Sequence, residues 1–281
     1  MINDITIIII TYKSEKIIND FIKRIPLTIK TIIIENSQNY NLKKDIEEKY
    51  KNISVYLKEN NGISSSLNFA VDLVETKYFL QISPDIDFDF NDLNLFIDFA
   101  NEKKDNFAAL GPRFLEVKEK SHKQIKEDLD FGKIESIHGS CMFINKTEFI
   151  NIGKFDENFF LYFEETEYCY RAKNKGYPSY QLNKSKVKSK GRSVEIQDTE
   201  EKKMRNFLVW HFIWSKFYFF KKKYNYLIAI IYFIPIILRI LVKMAFYKFL
   251  KKNKIKNEKY HYRFLGLISS ILGKKSSLRI D

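Results

Sequence analysis

The chain has 281 residues, 45% of them apolar and 30% charged, with a formal net charge of +13, so it can bury a substantial core and is not disordered throughout. The charge is uneven: residues 201–281 hold 19 Lys/Arg against 3 Asp/Glu, leaving residues 1–200 with 29 against 32. A near-neutral body with a basic, aromatic and apolar tail argues against a nucleic-acid binder and for an anionic membrane surface as partner.

Ile5 to Ile10 is a continuous β-branched run, which predicts a strand buried on both faces, and Thr11-Tyr12-Lys13-Ser14 ends it. Lys30–Ile34, Ile53–Leu57, Tyr78–Ile82, Phe107–Leu110 and Ser136–Ile144 repeat the signal, interleaved with helical patterns near 15–25, 41–51, 64–75 and 91–103. This alternation predicts an α/β fold, Rossmann-like, with a mainly parallel central sheet flanked by helices. Ligands of such sheets sit at the carboxyl ends of strands, where Thr11, Glu35 and Asp85 fall.

The charged stretch 113–135 reads as a surface excursion long enough to reach over a cleft. Tyr177–Leu182 is strand-like and leads into the basic segment Lys184–Arg192, and the body is expected to end near residue 198. The expected domains are therefore a catalytic body over 1–198 and a helical, membrane-associating tail over 199–281. Cys141 and Cys169 have no metal-ligand spacing and no disulfide framework, which suits burial in a reducing compartment. The N-terminal apolar run is short and interrupted by Asp4, unlike a signal peptide, so a cytoplasmic body is expected.

The tail opens with an aromatic-rich stretch over 206–220 and Lys221-Lys222-Lys223, then Leu227 to Leu238 gives twelve uninterrupted apolar residues before Arg239. A spanning helix needs about 20 apolar residues, so an in-plane or re-entrant helix is preferred, with spanning and a packed helical subdomain left open. Pro235 is expected to kink the run.

Two acidic clusters could carry chemistry. Asp85 and Asp87 follow a strand two residues apart, so an extended backbone would turn both toward one hard divalent cation, Mn2+ or Mg2+. Downstream, Glu164, Glu165 and Glu167 crowd together before Arg171. Like-charge repulsion there can raise a carboxyl pKa into a range suited to a general base, with Arg171 opposing it.

Ordered motifs carry a resemblance over roughly residues 4–193: Thr11-Tyr12, Glu35-Asn36-Ser37, Asn60-Asn61-Gly62-Ile63 with Asn68, Ser83-Pro84-Asp85-Ile86, Gly111-Pro112-Arg113, and Ile152-Gly153-Lys154-Phe155-Asp156-Glu157 through Glu164-Glu165-Thr166-Glu167 and Arg171 to Gly176. The chain resembles family 2 glycosyltransferases of the GT-A type, in particular the bacterial rhamnosyltransferase-like branch. The resemblance implies inverting transfer of a sugar from a nucleotide-diphosphate donor, dTDP-rhamnose or a UDP-sugar, to a glycan or lipid-linked acceptor of the cell surface. It makes Glu165 the catalytic base and Asp85 with Asp87 the metal ligands. Thr11, Tyr12, Glu35, Asn60, Gly62, Asn68, Arg113 and His138 become substrate or nucleotide contacts, with Glu164, Glu167 and Arg171 as the setting of the base.

The implied location is the cytoplasmic face of the inner membrane, with a homo-oligomer allowed and no nucleic-acid partner. The chain departs from the family pattern at Lys13, at Ser83, at the glutamates 35, 165 and 167 where Asp is usual, and at Lys188 where His is common. These departures motivate an alternative, a catalytically impaired nucleotide-sugar-binding scaffold of a polysaccharide assembly complex.

Overall fold

The computed structural model describes residues 4–116, 124–191, 194 and 200–280. It divides into two compact units, Met1–Asp156 with Glu164–Glu195, and Glu157–Phe163 with Ile196–Asp281.

Among the described residues the first unit has nine strands: β1 (Ile5–Thr11), β2 (Lys30–Glu35), β3 (Ile53–Leu57), β4 (Tyr78–Ile82), β5 (Ile86–Asp87), β6 (Leu110–Phe114), β7 (Phe131–Ile134), β8 (Cys141–Asn145) and β9 (Ser179–Ser189). Their order is β3-β2-β1-β4-β8-β6-β9-β5, with β7 also on β9. β1 to β4 pair parallel, β8 runs antiparallel between β4 and β6, and β6 pairs parallel with β9. β1, β2, β3, β4, β6 and β9 thus share one direction, the mainly parallel sheet expected, and their carboxyl ends meet the start of β8 at one edge.

The β1 isoleucines show why this strand forms. Ile5, Ile7 and Ile9 enter one core with Ile18, Phe21 and Ile22 of α1 (Glu15–Ile22), Leu42 and Ile46 of α2 (Tyr40–Lys49), and Phe96 of α4 (Leu93–Glu102). Ile8 enters the other with Leu67 and Val71 of α3 (Ile63–Leu73), Phe149 of α5 (Lys146–Ile152), and Tyr168 and Cys169 of α6 (Glu164–Asn174). Each such residue contributes about 1.5–3 kcal/mol by leaving water, so a strand apolar on both faces is fixed at the centre of three layers.

Three elements differ from the sequence reading. β6 begins at Leu110 and runs through Pro112, because its register with β9 shifts between Pro112 and Arg113 and the missing N–H costs no ladder bond there. β8 begins only at Cys141, after a turn in which the Cys141 N–H donates to the His138 carbonyl at 3.1 Å. β9 continues through the basic segment, because Lys184, Lys186 and Lys188 alternate outward while Ser185 and Val187 are buried. Part of the expected surface excursion is sheet as well: the Gln124 amide meets the Phe114 N–H and carbonyl at 3.1 Å each, and β7 pairs with β9. Arg192 and Ser193 of the basic segment lie outside the described residues.

The second unit holds α7 (Glu201–Tyr224), α8 (Tyr226–Ala245), which continues as a π turn over Phe246–Leu250, and α9 (Lys254–Ile271). They share a core of Ile213, Phe217, Ala229, Phe233, Ile240 and Leu267. The helix α8 includes Pro235, whose side is exposed, and it is the one described helix long and apolar enough to cross a membrane. A Cβ on Gly266 would lie 2.5 Å from the Trp210 carbonyl oxygen, so α7 and α9 touch through a position only glycine fits. Gly266→Ala is expected to destabilise this unit by about 1–3 kcal/mol through overpacking, read as a lowered thermal midpoint. An unchanged midpoint would show that the helices can separate at no cost.

Candidate active site

The loops at the carboxyl edge are pinned by polar contacts within the first unit. Thr11, buried, donates from its hydroxyl to the Ile34 carbonyl at 3.4 Å, and the Asn36 N–H donates to the Thr11 carbonyl at 2.9 Å. Glu35 is buried and its two carboxylate oxygens are taken by the next turn: Oε1 accepts from the Ser37 N–H and hydroxyl, and Oε2 from the Asn39 N–H at 2.7 Å. Glu35 therefore shapes the loop after β2 before it can touch any ligand. The Tyr12 N–H reaches Ser14 Oγ at 3.4 Å. Asn60 Oδ1 accepts from the Gly62 N–H at 3.3 Å, and Gly62 opens α3 with φ of 99°, a left-handed value that favours glycine.

Asp85 and Asp87, expected to share one cation, have different side-chain partners. Asp85 is buried and accepts from the Ser189 hydroxyl at 2.9 Å, while its carbonyl accepts from the Lys190 N–H at 2.8 Å. The side chain of Asp87 is half exposed and paired with Arg24 at 2.6 Å and Lys190 at 3.8 Å. The pairing of β5 with β9 causes the split, because it seats this short strand against Lys188 and Ser189. Burial pushes the Asp85 carboxyl above its usual range, with Ser189 opposing.

Among the described residues no group of three or more His, Cys, Asp or Glu could hold a metal. A cation that keeps waters and takes substrate phosphate oxygens needs only one or two carboxylates. Asp85 fits that demand, while Asp87 is paired with Arg24 and Lys190.

The acidic cluster also separates into parts. Glu167 and Arg171 form a clasp: the guanidinium Nε and Nη2 each meet a Glu167 carboxylate oxygen at 3.1 Å, Nη1 donates to the Ile152 carbonyl at 2.7 Å and also to that of Gly153, and Nη2 donates to the Lys154 carbonyl at 2.8 Å. Asn68 works beside it, its amide exchanging bonds with the Phe155 carbonyl at 2.9 Å and the Phe155 N–H at 3.1 Å. Of the residues expected at the substrate or as the setting of the base, Asn68 and Arg171 fix the chain that leads into α6 through main-chain groups, and Glu167 holds the Arg171 guanidinium.

Glu164 and Glu165 remain. Glu164 is buried with Oε2 lacking a hydrogen-bond partner among the described residues, and Glu165 is half-buried with Oε1 accepting from the Thr166 hydroxyl at 2.9 Å. A Cβ on Gly139 would meet Glu165 Cγ at 3.4 Å and Glu164 Oε1 at 3.6 Å, so the His138–Ser140 loop lies against the pair. That loop is tied to the Asp85 loop by the Ser83 N–H donating to the Ser140 carbonyl at 2.9 Å. His138 Nδ1 bonds Ser140 Oγ at 2.7 Å, and its ring lies 4.5 Å from that of Phe114. Arg113, buried, donates to the Ile125 carbonyl at 3.0 Å and lies 3.8 Å from Glu127.

Burial raises both carboxyl pKa values, and the charge on Glu165 raises that of Glu164 further. A base must be deprotonated, so kcat/KM for a reaction relying on Glu165 is expected to fall, as pH drops, through a pKa above the ordinary 4.5. Glu164→Gln, an isostere of the protonated acid, is expected to keep kcat within about tenfold and leave that limb in place. A limb at or below 4.5 in the pH–rate profile would sink the assignment.

The sequence reading missed Ser189 and Arg24. The inward serines that alternate with lysines in the basic segment were the available signal for Ser189.

The sheet, its ligand edge and these acids define a nucleotide-sugar-transferase fold of the GT-A type. The family model for glycosyl transferase family 2 matches residues 6–171, and the chain belongs to that family. A hexosyltransferase of low-salt glycan biosynthesis, Agl10 of Haloferax volcanii, is 26% identical over 196 residues, 62% of each chain, so the match spans less than two thirds of that relative. The fold is similar to the mannosyltransferase PcManGT of Pyrobaculum calidifontis in complex with GDP-Man and Mn2+, with TM-score 0.61, 11% identity, and coverage of 97% of this chain and 88% of that one. It is also similar to S. aureus TarS, with TM-score 0.53, 13% identity, and coverage of 73% of this chain but 39% of that one. A TarS fragment with UDP-GlcNAc gives TM-score 0.55 at 13% identity over 96% of this chain and 92% of that one.

Proposed function

We propose that this glycosyltransferase moves a sugar, with inversion, from a nucleotide-diphosphate donor to a hydroxyl of a cell-surface glycan or lipid-linked acceptor. The observation that carries the reading is the Glu164–Glu165 pair, set against the His138–Ser140 loop that is tied to the Asp85 loop. Glu165 takes the proton of the acceptor hydroxyl as that oxygen bonds the sugar carbon and the bond to the diphosphate breaks. The upward shift of the Glu164 carboxyl beside the charge of Glu165 favours one ionised carboxylate in the pair. Asp85 would hold a divalent cation, Mn2+ or Mg2+, which when bound supplies positive charge to the departing diphosphate.

The rhamnosyltransferase-like motifs favour dTDP-rhamnose as donor, while the relatives' GDP-mannose and UDP-GlcNAc keep other sugars in the panel. The two free cysteines are buried, in keeping with an enzyme working at the cytoplasmic face of the inner membrane.

The test is a donor panel with Mn2+ or Mg2+, reading released nucleoside diphosphate with and without a chelator. Turnover of one donor, lost on chelation, supports the reading, whereas folded protein that neither binds nor turns over any nucleotide sugar overturns it. Asp85→Asn is expected to raise the Mn2+ concentration needed for half-maximal activity by about 10–100-fold. An unchanged metal requirement would remove Asp85 from the cation site.

A further inference from the structure

The helix α8 has two apolar sides, and its own unit covers only one. Ala229, Phe233 and Ile240 are buried, with Ile236, Ile237 and Met244 partly so, against Phe217, Phe220, Tyr260, Phe264 and Leu267. On the opposite side Leu227, Ile231, Leu238, Val242 and, within the π turn, Phe249 stand 72, 67, 57, 65 and 67% exposed. Ile234 continues that row. A helix on the surface of a soluble domain carries polar residues there.

The charge around this face has one sign. Between Glu201 and Glu258 the chain contains no Asp or Glu. Arg239 and Lys243 flank the apolar row, Lys221 to Lys223 precede the helix, and Lys248, Lys251, Lys252, Lys254 and Lys256 follow it. Such a surface is complementary to a layer that is apolar within and anionic at its boundary. A protein partner would have to supply an apolar strip bordered by acids along the same length.

The packed side also sets the orientation. The covered stripe extends from Ala229 to Met244 along α7 and α9, so a transmembrane α8 would draw those helices into the hydrocarbon. α7 ends in three lysines, and α9 carries Lys254, Lys256, Lys259 and Arg263. A helix lying flat leaves all of these at headgroup level or in water.

We propose that the outward face of α8, from Leu227 to Phe249, inserts parallel to the membrane plane into the headgroup–acyl boundary of an anionic phospholipid bilayer. Arg239 and Lys243 meet lipid phosphates at its flank. The proposal stands apart from the donor and acceptor chemistry above, because it uses none of those residues.

The full chain is mixed with vesicles of phosphatidylcholine alone or with phosphatidylglycerol, and binding is read by co-sedimentation across a salt series. Binding is expected only to the anionic vesicles and to weaken with salt. Ile231→Glu with Leu238→Glu, both already exposed and so compatible with folding, should lower it at least about tenfold with unchanged circular dichroism. Arg239→Glu with Lys243→Glu should lower it by about tenfold or more. Equal binding to both vesicle types overturns the proposal, as does a lipid-free dimer that Ile231→Glu with Leu238→Glu converts to a non-binding monomer.

Depth is read by brominated-lipid quenching of a fluorophore on cysteine placed in turn at Leu227, Leu238 and Phe249, with the buried Cys141 and Cys169 left in place. Similar shallow depths support a flat helix. A deepest position at Leu238, with the two ends at opposite surfaces, overturns it.

Discussion

Glu165→Gln is expected to lower kcat by about 10²–10⁴-fold while donor affinity stays within a few-fold. The amide keeps the shape of the carboxyl and its contact with Thr166 but cannot take a proton, so the loss falls on chemistry rather than on binding. The partner substitution Glu164→Gln separates the two acids, because burial and the adjacent charge push the Glu164 carboxyl well above its usual range, toward the neutral form that the amide mimics. Glu165→Asp restores the residue usual in the family and shortens reach by about 1.5 Å. Retained turnover in Glu165→Asp beside lost turnover in Glu165→Gln identifies the carboxylate as the proton acceptor. Full activity in Glu165→Gln, measured by nucleoside diphosphate release with a matched acceptor, would eliminate it.

Arg171→Leu is expected to destabilise the first unit by about 2–4 kcal/mol, somewhat less than the cost of breaking a fully buried pair, because the Arg171 side chain keeps 27% exposure. Its loss takes the guanidinium from a Glu167 carboxylate of 3% exposure and removes a donor from three successive carbonyls, Ile152 to Lys154. For a unit of this size the thermal midpoint should fall by roughly 5–15 °C. Arg171→Lys should recover only part, since an ammonium cannot reproduce a planar fork that bonds carboxylate and carbonyls together. A midpoint unchanged in Arg171→Leu would show that the clasp is dispensable.

The sheet was legible because its signal is local. The β1 run, the helix of Ile18 and Phe21, and the Tyr78–Ile82 strand each announce their burial in their own residues. β6 and β9 were misread where long-range pairing decides: Pro112 is tolerated only because the register shifts beside it, and the lysines of β9 look like a solvated segment until their alternation is matched to a partner strand.

The acids of the candidate site stood out in the sequence, and their partners did not. Ordered motifs pointed to Asp85 and Glu165, but that Asp87 belongs to Arg24 depends on a contact between residues distant in sequence. The same holds for Asn68 with Phe155. Residue type shows that a polar group can act, whereas the fold decides which polar groups are already engaged.

The antiparallel strand β8 has a consequence for how the molecule is made. β4 is buried at all five of its positions, and its outer edge is covered by Cys141–Asn145. As the chain leaves the ribosome, β1 to β4 can assemble first, and the bare edge of β4 then waits for the whole intervening stretch to be synthesised. For that interval the nascent protein carries an open apolar template, the kind of surface that chaperones cover and aggregates grow from.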